Sequence, residues 1–493
     1  MLEGLKKHLL YVLLVLLTFT GCSKKEQSDD AGFNPHAIGI LTGTTFKTAL
    51  ERIYPDADIL YYENFPFTCM ALKKGQIDAF LCPINGSKDL LSSNPGMRLL
   101  DGPIILDSIS VAFNPHEHKL AYQFDHFLDS MRTSGALARL WDKWFNYTVL
   151  PEPYESEEHL EGKPINVGFE TGQSFFTLMI DNEVAGFEPE LMIRFGESIG
   201  RPVKPIEMKE TGMIPALLSG RLDAIASSIT PTPERAANML FSQPYNATEF
   251  ALCVYDRAAD TGSTMSFGKT LKQNIIEGKR YMLILEGLLN TLILTFLSLV
   301  FGYMLGVTIT IAKRRRGRKA KAIAEFYCEF IESIPIVVLL LFMFYVVFAT
   351  SHISAIMVAV ITFSLYFAVG AADSIERSID TVEQGQWEAG YALGFKPMQV
   401  LIYIIVPQSA QEFFAQFRNK AVGLIENTSI VGFIAIKDMT MVTDLIRNQT
   451  YNSLVPLAVV AILYFLIAFG ITKSFGLLSD LFYFKKRDII NKK

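Results

Sequence analysis

The sequence predicts a multidomain chain in which a two-lobed α/β domain precedes an all-α membrane domain of about five transmembrane helices. Uncharged runs at Gly287–Ala312, Ile353–Ala372 and Tyr451–Thr472 indicate the membrane domain. Each run is long enough to cross the roughly 30 Å hydrocarbon core of a bilayer as a helix. Residues 31–280 contain no such run and have ordinary mixed charge, so we expect them to fold in water.

A short internal repeat predicts the two lobes. The segment Ala71–Phe80 recurs as Ala216–Ile225. In each copy a helix is predicted to end at a capping glycine, and a buried strand follows at Ile77–Cys82 or Leu222–Ser227. Alternating strands and helices in two similar halves favour two α/β lobes with a ligand cleft between them. Two independent α/β domains without a shared cleft are the alternative.

The N-terminus has the pattern of an export signal. Lys6 and Lys7 precede an apolar run from Leu9 to Leu17, and small residues then lead to Cys22. This arrangement resembles a bacterial lipoprotein signal, so residues 1–22 are predicted to be a lipoprotein-type signal that is cleaved before Cys22, and Cys22 is predicted to be lipidated. Because Phe19 stands where such signals usually have leucine, an uncleaved anchor is the alternative.

Composition excludes several classes of function. The net charge of −5 argues against a nucleic-acid partner. The sequence has no Gly-x4-Gly-Lys-Ser/Thr phosphate loop, so no ATP site is expected in this chain. No catalytic residues, metal ligands or bound cofactor are predicted. The other cysteines lack metal-type or redox spacing and are predicted to be core residues, with a disulfide among the first three left open; they are Cys69, Cys82, Cys253 and Cys328.

Charge predicts the orientation of the membrane domain. Basic residues follow the first and the last apolar runs, which places the C-terminal tail 481–493 in the cytoplasm and residues 23–280 outside. Gly302 and Gly306 offer a face for close helix packing or, alternatively, a bend. Five spans are predicted, the fourth of them weak: about Gly287–Ala312, Ile334–Thr350, Ile353–Ala372, Ala421–Ile436 and Tyr451–Thr472.

The segment between the third and fourth predicted spans contains the most specific motif. It reads Glu388-Ala389-Gly390-Tyr391-Ala392-Leu393-Gly394, and Ile404-Ile-Val-Pro407 follows nine residues later. This resembles the coupling signature of ABC import permeases, and the resemblance to the polar amino-acid permeases extends over residues 286–480. It implies that Glu388, Ala389, Gly394 and Pro407 belong to a helix–turn–helix that contacts an ATPase. An amphipathic helix pair without a partner is the alternative. Glu426 departs from the family pattern and is a candidate for the transport pathway or for pairing.

Two further sets of motifs resemble type II periplasmic substrate-binding proteins of polar amino-acid importers. Residues 164–257 resemble the first lobe of these proteins, through Val167–Glu170, Gly186–Leu191, Ile214–Gly220, Thr230–Arg235 and Phe241–Tyr245. Residues 37–147 resemble the second lobe and the closing helices, through Gly39–Thr45, Tyr54–Ala57, Gly75–Asp78, Asn94–Gly96 and Leu140–Trp144. The lobes therefore occur in reverse order, and we infer a circularly permuted domain in which Ile109–Phe113 is the one continuous crossing between lobes.

The resemblance implies a set of ligand-binding residues. Arg235 would bind a ligand carboxylate, because a cation in the first turn of a helix opposes the helix dipole unless an anion lies beside it. The family's ammonium-binding aspartate is replaced by Pro83, and Glu170 or Asn85 would be the substitute acceptor. The complete predicted set is Arg235, Thr230, Ser228, Thr45, Leu41, Glu170 and Phe176.

The resemblance implies an ATP-driven importer of a small polar solute, most simply an amino acid, in the bacterial inner membrane. Its partners would be a cytoplasmic ABC ATPase dimer that uses the ATP, a second copy of this chain, and the lipid bilayer. A tethered sensor that signals to the ATPase without transport is the alternative. The predicted segments are the signal 1–22, the second-lobe-like segment 34–148, a linker 149–163, the first-lobe-like segment 164–257, a linker 258–284, the permease 285–480 and the basic tail 481–493.

Overall fold

The computed structural model describes residues 33–156, 160–171, 176–257, 259, 271–314, 317–349, 351 and 353–491. The N-terminal α/β domain is built on one continuous sheet with the strand order β2-β1-β3-β12-β5-β10-β6-β9, where β4 also pairs with β12 and β11 with β5. Its strands are β1 (Ala37–Leu41), β2 (Asp58–Tyr62), β3 (Ala79–Pro83), β4 (Met97–Leu99), β5 (Ile105–Phe113), β6 (Ile165–Phe169), β7 (Thr177–Ile180), β8 (Glu183–Gly186), β9 (Val203–Glu207), β10 (Ala224–Ile229), β11 (Leu240–Phe241) and β12 (Asn246–Tyr255). Its helices are α1 (Lys47–Ile53), α2 (Phe65–Lys73), α3 (Lys88–Ser93), α4 (His118–Thr133), α5 (Ala136–Phe145), α6 (Phe187–Ser198), α7 (Glu210–Leu218) and α8 (Pro233–Ala236).

Two long antiparallel strands divide this sheet into two lobes. Residues Ile105–Ile109 of β5 pair with β12, whereas the remainder of β5 pairs with β10 and β11. We call β1–β4 with the end of β12 lobe A, and β6, β9, β10 and β11 with the end of β5 lobe B. The expected single crossing at Ile109–Phe113 is therefore wrong, because β12 crosses between the lobes as well. Two paired strands are shared between the lobes.

The internal repeat has the same structural role in both lobes. Helices α2 and α7 are followed by Gly75 and Gly220, whose φ angles of 70° and 76° suit glycine, as predicted. Asp78 then accepts hydrogen bonds from the backbone N–H of His36 and Ala37, at 2.7 and 3.1 Å. Asp223 accepts the equivalent bond from Asn166, at 2.7 Å. Each aspartate thus holds the start of the central strand of its lobe, which explains why the pattern recurs.

The apolar cores follow the lobes. Helices α4 and α5 come before β6 in the chain, yet their buried residues Phe124, Leu128 and Trp144 pack in the core of lobe B. Lobe A has its own clusters around Phe80 and Ile40. The four predicted core cysteines, Cys69, Cys82, Cys253 and Cys328, are buried and free, so the disulfide alternative does not apply.

The C-terminal part is helical. It contains α9 (Arg280–Arg314), α10 (Arg318–Glu332), α11 (Ile336–Phe342), α12 (Ala355–Asp380), α13 (Gln384–Ala392), α14 (Pro397–Val400), α15 (Val406–Asn427), α16 (Met439–Thr450) and α17 (Leu454–Asn491), with short π or 3-10 segments at Met343–Val347, Leu401–Ile405 and Thr428–Ile434. Within the described part of the chain, three helical stretches are long and apolar enough to span a membrane: Lys272–Arg314, which is α9 with the short π and 3-10 segments before it, Ala355–Asp380 and Leu454–Ser479.

The number of spans differs from the prediction of about five. Among the described residues there are three long apolar helices, or four if α10 and the Ile336–Val347 segment, which meet at 101°, form one span. Three of the predicted spans coincide with the long helices. The fourth, at Ala421–Ile436, is interrupted because α15 ends at Asn427 and continues as a 3-10 turn. The predicted signal at residues 1–22 and the predicted lipidation of Cys22 concern residues outside the described part of the chain.

Gly302 and Gly306 lie where α9 packs against α12. A Cβ on Gly302 would lie 2.9 Å from the Ser364 carbonyl oxygen, and one on Gly306 would lie 2.8 Å from Ala371 Cβ. These distances are shorter than side-chain contacts allow, so the two helices approach as closely as their small residues permit. The small-residue packing face is the correct interpretation of this pair.

We expect Gly306→Val to destabilise the helical domain by about 1–3 kcal/mol, because the added side chain must separate α9 from α12. The thermal unfolding midpoint of the chain in detergent measures this effect. Gly470→Val in α17 is the matched control, since a Cβ there meets nothing within 4 Å. Equal midpoints for the two variants would contradict the close packing.

Lobe B makes several of the hydrogen bonds between the α/β domain and the helical domain. Tyr345 donates its hydroxyl to the carbonyl oxygens of Gly212 and Phe433, both at 3.0 Å. Arg221 donates to the carbonyl oxygens of Phe344 and Phe348, at 3.0 and 2.6 Å. These contacts hold the start of α7 and the segment before β10 against the π segment that follows α11.

Candidate functional site

The cleft between the lobes contains a cavity. Lobe A lines it with the loop after β1 and with β3, lobe B with the ends of β10 and α8, and the crossing strands with Asp107, Ile109, Thr248 and Phe250. The wall combines apolar rings with charged groups, as solute-binding cavities commonly do. Residues from both lobes and both crossing strands therefore meet at one place.

Arg235 provides the positive charge of this cavity. It lies in the first turn of α8, where Thr232 accepts a hydrogen bond from the Arg235 N–H at 3.2 Å and caps the helix. Its guanidinium donates to the carbonyl oxygen of Thr230 at 3.1 Å and, across the cleft, to that of Gly43 at 2.8 Å. The side chain is 18% exposed. Arg235 thus joins lobe B to lobe A at the point where the cavity opens.

Two carboxylates provide the negative charge. Glu210, at the start of α7, has its carboxylate 3.7 Å from the Arg235 guanidinium. Asp107, on β5, accepts a hydrogen bond from the Thr230 hydroxyl at 2.7 Å. Burial raises the pKa of both carboxyls, and the nearby Arg235 partly opposes this. A cation that reached these carboxylates would stabilise their ionised forms and so offset the cost of their desolvation.

Lobe A approaches so closely that only glycine fits at position 43. Gly43 has φ of 86°, and a Cβ there would lie 2.4 Å from the Glu210 carboxylate oxygens. Together with the Arg235 bond to its carbonyl, this contact brings the two lobes together over the cavity. The two lobes therefore touch each other over the cavity, as the lobes of a closed cleft do.

Ser228 is fixed by a buried carboxylate. Its φ of 48° lies in the left-handed region, which is unfavourable for a residue other than glycine. Its N–H and hydroxyl donate to Glu188 at 2.6 and 2.9 Å, and Tyr245 donates to the same oxygen. Thr177 donates to the other oxygen at 2.8 Å. Glu188 therefore holds the strained, irregular end of β10 that faces the cavity.

The structure brings together five of the seven predicted ligand residues. Leu41, Phe176, Ser228, Thr230 and Arg235 line the cavity. Phe176 also packs against Phe145 with ring centroids 4.9 Å apart, so it belongs to both the cavity wall and the core. The prediction that Phe176 forms a wall is compatible with its alternative role as a core residue.

Two predicted residues do not line this cavity. Thr45 is exposed, and its neighbours Gly43 and Thr44 take the cavity positions, because the turn after β1 points Thr45 outward. Glu170 accepts a hydrogen bond from the Glu210 N–H at 2.7 Å and so stabilises the start of α7 instead. Asn85 is exposed, and Pro83 lies at the cavity as expected.

Sequence reasoning missed Asp107 and Glu210. Asp107 lies in the apolar segment that precedes the predicted crossing strand, where an isolated aspartate is unusual because it must be buried. Glu210 stands in the first turn of a helix, where acidic residues are common because they interact favourably with the helix dipole. Asp107 could therefore have been recognised from the sequence as an unusual buried charge, whereas Glu210 could not be told from an ordinary helix-start residue.

A charged junction joins both lobes to α16. Lys209 lies 2.7 Å from Glu63 of lobe A and 2.8 Å from Asp444 of α16. Arg447 donates to Asp444 at 2.7 Å, and its guanidinium lies 3.8 Å from the ring centroid of Phe67. Since Lys209 belongs to lobe B, one lysine connects the two lobes and the helical domain.

Glu207, beside this junction, gives the chain a pH-dependent stability. Burial raises the pKa of Glu207 to about 7, partly opposed by hydrogen bonds from Thr171. A carboxyl with a raised folded-state pKa binds its proton more tightly when folded, so its stabilisation is complete below about pH 4.3 and is lost as the pH rises through about 7. We expect the free energy of unfolding to be about 1 kcal/mol larger at pH 6 than at pH 8 on this account.

Thermal unfolding of the whole chain at several pH values measures this difference. Glu207→Gln should reduce it, whereas Glu51→Gln, at a half-exposed carboxylate on α1, should leave it unchanged. An unaltered pH profile in Glu207→Gln would show that the group is ionised throughout this range.

The predicted coupling motif forms an exposed elbow of two helices. Glu388 and Ala389 lie exposed on α13, Gly394 makes the turn with φ of 83°, and Pro407 lies in the first turn of α15. Gly390 is buried, and a Cβ there would lie 2.9 Å from Val400 and Ile404. The two arms of the elbow are therefore tightly packed against each other.

The outer surface of this elbow is apolar. Tyr391, Leu393, Phe395 and Met398 are 46%, 76%, 38% and 60% exposed. Large apolar side chains grouped on a rigid surface commonly mark a protein interface. The elbow lies beside the end of the 35-residue helix α9, where Lys313 is 3.2 Å from Glu376. The α/β domain lies at the other end of this helix, so it cannot cover these side chains.

Comparison with known proteins shows which family the helical domain matches. Residues 298–482 match the family described as the binding-protein-dependent transport system inner membrane component. Residues 298–482 form a transport permease domain. The chain is thus the membrane permease subunit of an ABC importer, with an α/β domain fused ahead of the permease domain, and ATP hydrolysis belongs to a separate subunit.

Individual relatives match the permease domain over most of their own length. A putative glutamine transport system permease of Rickettsia felis is 26% identical over 193 residues, covering 38% of this chain and 87% of that protein. The L-cystine transport system permease of Bacillus subtilis is 26% identical over 207 residues, covering 42% of this chain and 88% of that protein. A crystal structure of an amino acid ABC transporter with histidines aligns with a TM-score of 0.40 at 27% identity, over 44% of this chain and 99% of that one.

Proposed function

We propose that this permease imports a small zwitterion, most simply an α-amino acid, which its own α/β domain binds. The observation that supports the proposal is that one guanidinium, of Arg235, and two carboxylates, of Asp107 and Glu210, line the same cavity in the closed cleft. A guanidinium pairs with a carboxylate in two parallel hydrogen bonds, and a carboxylate pair accepts from an ammonium. The relatives that are named for glutamine and cystine transport are consistent with this class of solute.

In this proposal Asp107 and Glu210 replace the ammonium acceptor that Pro83 cannot provide. Arg235 would exchange its bond to the Gly43 carbonyl for the solute carboxylate, with Ser228 and Thr230 beside it. Phe176 and Phe250 would pack against the apolar part of the solute. Asp107→Asn should therefore weaken the binding of an α-amino acid far more than the binding of its α-keto analogue.

The order of the lobes is consistent with circular permutation. In the register of the sheet, Ile38 is paired with Ala79 and Cys253 with Phe80, so β1 starts and β12 ends at the same edge of lobe A, with only β3 between them. These ends are therefore about 10 Å apart across the sheet. A link between them would close the domain, while residues 146–164 supply the new connection from α5 to β6.

We further propose that the α/β domain faces outward and the elbow faces the cytoplasm. Helix α9 has 35 residues and is roughly 52 Å long. The start of α9 contacts the α16 region through Asn290, which donates to the Lys437 carbonyl at 2.9 Å, and its end contacts Glu376 near the elbow. The basic residues at that end favour the cytoplasmic side. Two copies of the chain with an ATPase dimer on the elbows would complete the importer.

Direct binding tests the solute class. The whole chain in detergent is titrated calorimetrically with each standard L-amino acid and with α-keto and decarboxylated analogues. We expect at least one L-amino acid to bind and both of its analogues to bind at least tenfold more weakly. If no amino acid binds, or if an analogue binds equally well, the zwitterion proposal is wrong. No structural feature favours the sensor alternative.

A further inference from the structure

The charges that line the cleft cavity are not balanced. Among the described residues, the lining contains one cationic side chain, Arg235, and two carboxylates, Asp107 and Glu210. Residues 172–175, which precede Phe176 in the chain, read Gly-Gln-Ser-Phe and contain no charged side chain. With both carboxylates ionised, the lining therefore carries one more negative charge than positive charge.

Within the described part of the chain, Arg235 is the one cation that acts on these two carboxyls. Burial raises the pKa of Asp107 and of Glu210, and Arg235 is the cation that lowers both. Lys209 is adjacent to Glu210 in the chain, but its ammonium lies 2.7 and 2.8 Å from two other carboxylates. The surroundings of the cavity therefore leave its excess of negative charge in place.

An α-amino acid with an uncharged side chain would not remove this excess. Its carboxylate would neutralise Arg235, and its single ammonium would neutralise one of the two carboxylates. The second carboxylate would then remain largely buried without a partner, which is strongly unfavourable. A solute with a second positive group would pair with this remaining carboxylate and leave no charge unbalanced.

The hydrogen bonds indicate how the three charged residues share such a solute. The Thr230 carbonyl accepts from Arg235 at 3.1 Å, and the Thr230 hydroxyl donates to Asp107 at 2.7 Å. Arg235 and Asp107 therefore flank one residue, which suits the carboxylate and the ammonium on a single α-carbon. Glu210 lies against Gly43, where a Cβ would be 2.4 Å from its carboxylate oxygens. Glu210 is thus on the side of the cavity that lobe A covers.

The remaining wall of the cavity suits an aliphatic chain. Phe46 and Phe250 pack with their ring centroids 4.7 Å apart, and both line the cavity together with Leu41 and Leu81. The cavity volume of about 70 Å³ accommodates roughly five waters, or on the order of 150 Å³ of liquid. This space favours a side chain of a few methylene groups over one with a large ring.

We propose that the solute is a diamino acid with an aliphatic side chain, such as ornithine or lysine. Arg235 binds its α-carboxylate, Asp107 binds its α-ammonium, and Glu210 binds its side-chain ammonium. The inference rests on the proposed function, since it names the class of amino acid that the same cleft binds. Glu210 is then the residue that selects a cationic amino acid over a neutral one.

Matched pairs of solutes test the selection by charge. The whole chain in detergent is titrated calorimetrically with L-ornithine and with L-norleucine, which has a methyl group in place of the side-chain ammonium. L-lysine and its neutral counterpart with the same replacement form the second pair. We expect at least one diamino acid to bind about tenfold or more tightly than its neutral counterpart, because a charge-assisted hydrogen bond to Glu210 distinguishes the two.

Two variants assign the selection to Glu210. Glu210→Gln keeps the shape of the side chain and removes its charge, so the ratio of the two affinities should fall to about one or below. Glu51→Gln, at a half-exposed carboxylate on α1, should keep the wild-type ratio. The comparison within the wild type needs no variant, so it tests the inference even if Glu210→Gln does not fold.

The outcomes separate this inference from the proposed function. A neutral L-amino acid that binds wild type more tightly than both diamino acids would overturn the inference and leave the proposed function intact. A preference for diamino acids that Glu210→Gln retains would overturn the inference as well, since another group would then select the charge. Failure of every L-amino acid to bind would remove the proposed function and the inference together.

Discussion

Arg235→Ala is expected to lower solute affinity in the cleft by about 100-fold or more. A guanidinium that pairs with a carboxylate in a partly buried cleft contributes about two charge-assisted hydrogen bonds, each worth about 1.5–3 kcal/mol. The same substitution breaks the bond between Arg235 and the Gly43 carbonyl, 2.8 Å long, which joins the lobes. Calorimetric titration of the whole chain with its best L-amino acid measures the loss.

Two further variants separate recognition from closure of the lobes. Arg235→Lys keeps the charge without the planar fork, so we expect intermediate affinity. Arg52→Ala, at an exposed arginine in the last turn of α1, should bind like wild type. Equal affinity in Arg235→Ala and wild type would show that the cleft recognises its solute through other groups, and the zwitterion proposal would lose its main support.

The cleft shows what sequence can predict about a binding site. Four of the predicted residues line the cleft because they lie at or next to the ends of regular elements, where motif and element coincide: Leu41, Ser228, Thr230 and Arg235. Thr45 was misplaced by one residue, since a turn decides which side chain faces inward and its geometry depends on tertiary contacts. Asp107 was missed because it lies on a crossing strand, whose surroundings come from segments far apart in the chain.

The membrane domain shows a different limit. Hydropathy identified the three long helices because their apolar runs are uninterrupted. It could not resolve the 101° bend between α10 and α11, or the change from α15 to a 3-10 turn at Asn427, since both depend on packing between helices. The predicted helices and glycine turn of segment 388–407 were confirmed, because a capping glycine and helical periodicity are visible in the sequence itself. The coupling role of this segment stays a prediction.

The ion pairs of Lys209 connect these two parts of the molecule. Glu63, Lys209 and Asp444 come from lobe A, lobe B and α16, so all three can meet only when the lobes are closed on the permease domain. Closing the cleft therefore completes a contact with the permease as well as the cavity around the solute. Substrate occupancy would be communicated to the helical domain through such contacts, at the end of the molecule opposite the elbow.

At the elbow, Leu393→Asp is expected to abolish transport. Leu393 is 76% exposed and belongs to no core, so the substitution has little cost for folding. In the proposed complex it places a charge in the centre of an apolar interface, where an unpaired buried charge costs several kcal/mol. Uptake of labelled amino acid by cells that express the chain with its ATPase should fall to background, while the purified variant should bind solute with unchanged affinity.

Val149→Asp provides the matched control, since Val149 is 81% exposed and lies on the α/β domain, away from the elbow. It should transport at the wild-type rate, which would exclude a general effect of adding an exposed carboxylate. Co-purification with the ATPase distinguishes the reasons for a loss of uptake: Leu393→Asp should lose the ATPase, whereas Arg235→Ala should retain it and fail only in binding. If Leu393→Asp transports normally, the apolar surface of the elbow is not the contact through which ATP hydrolysis reaches the permease.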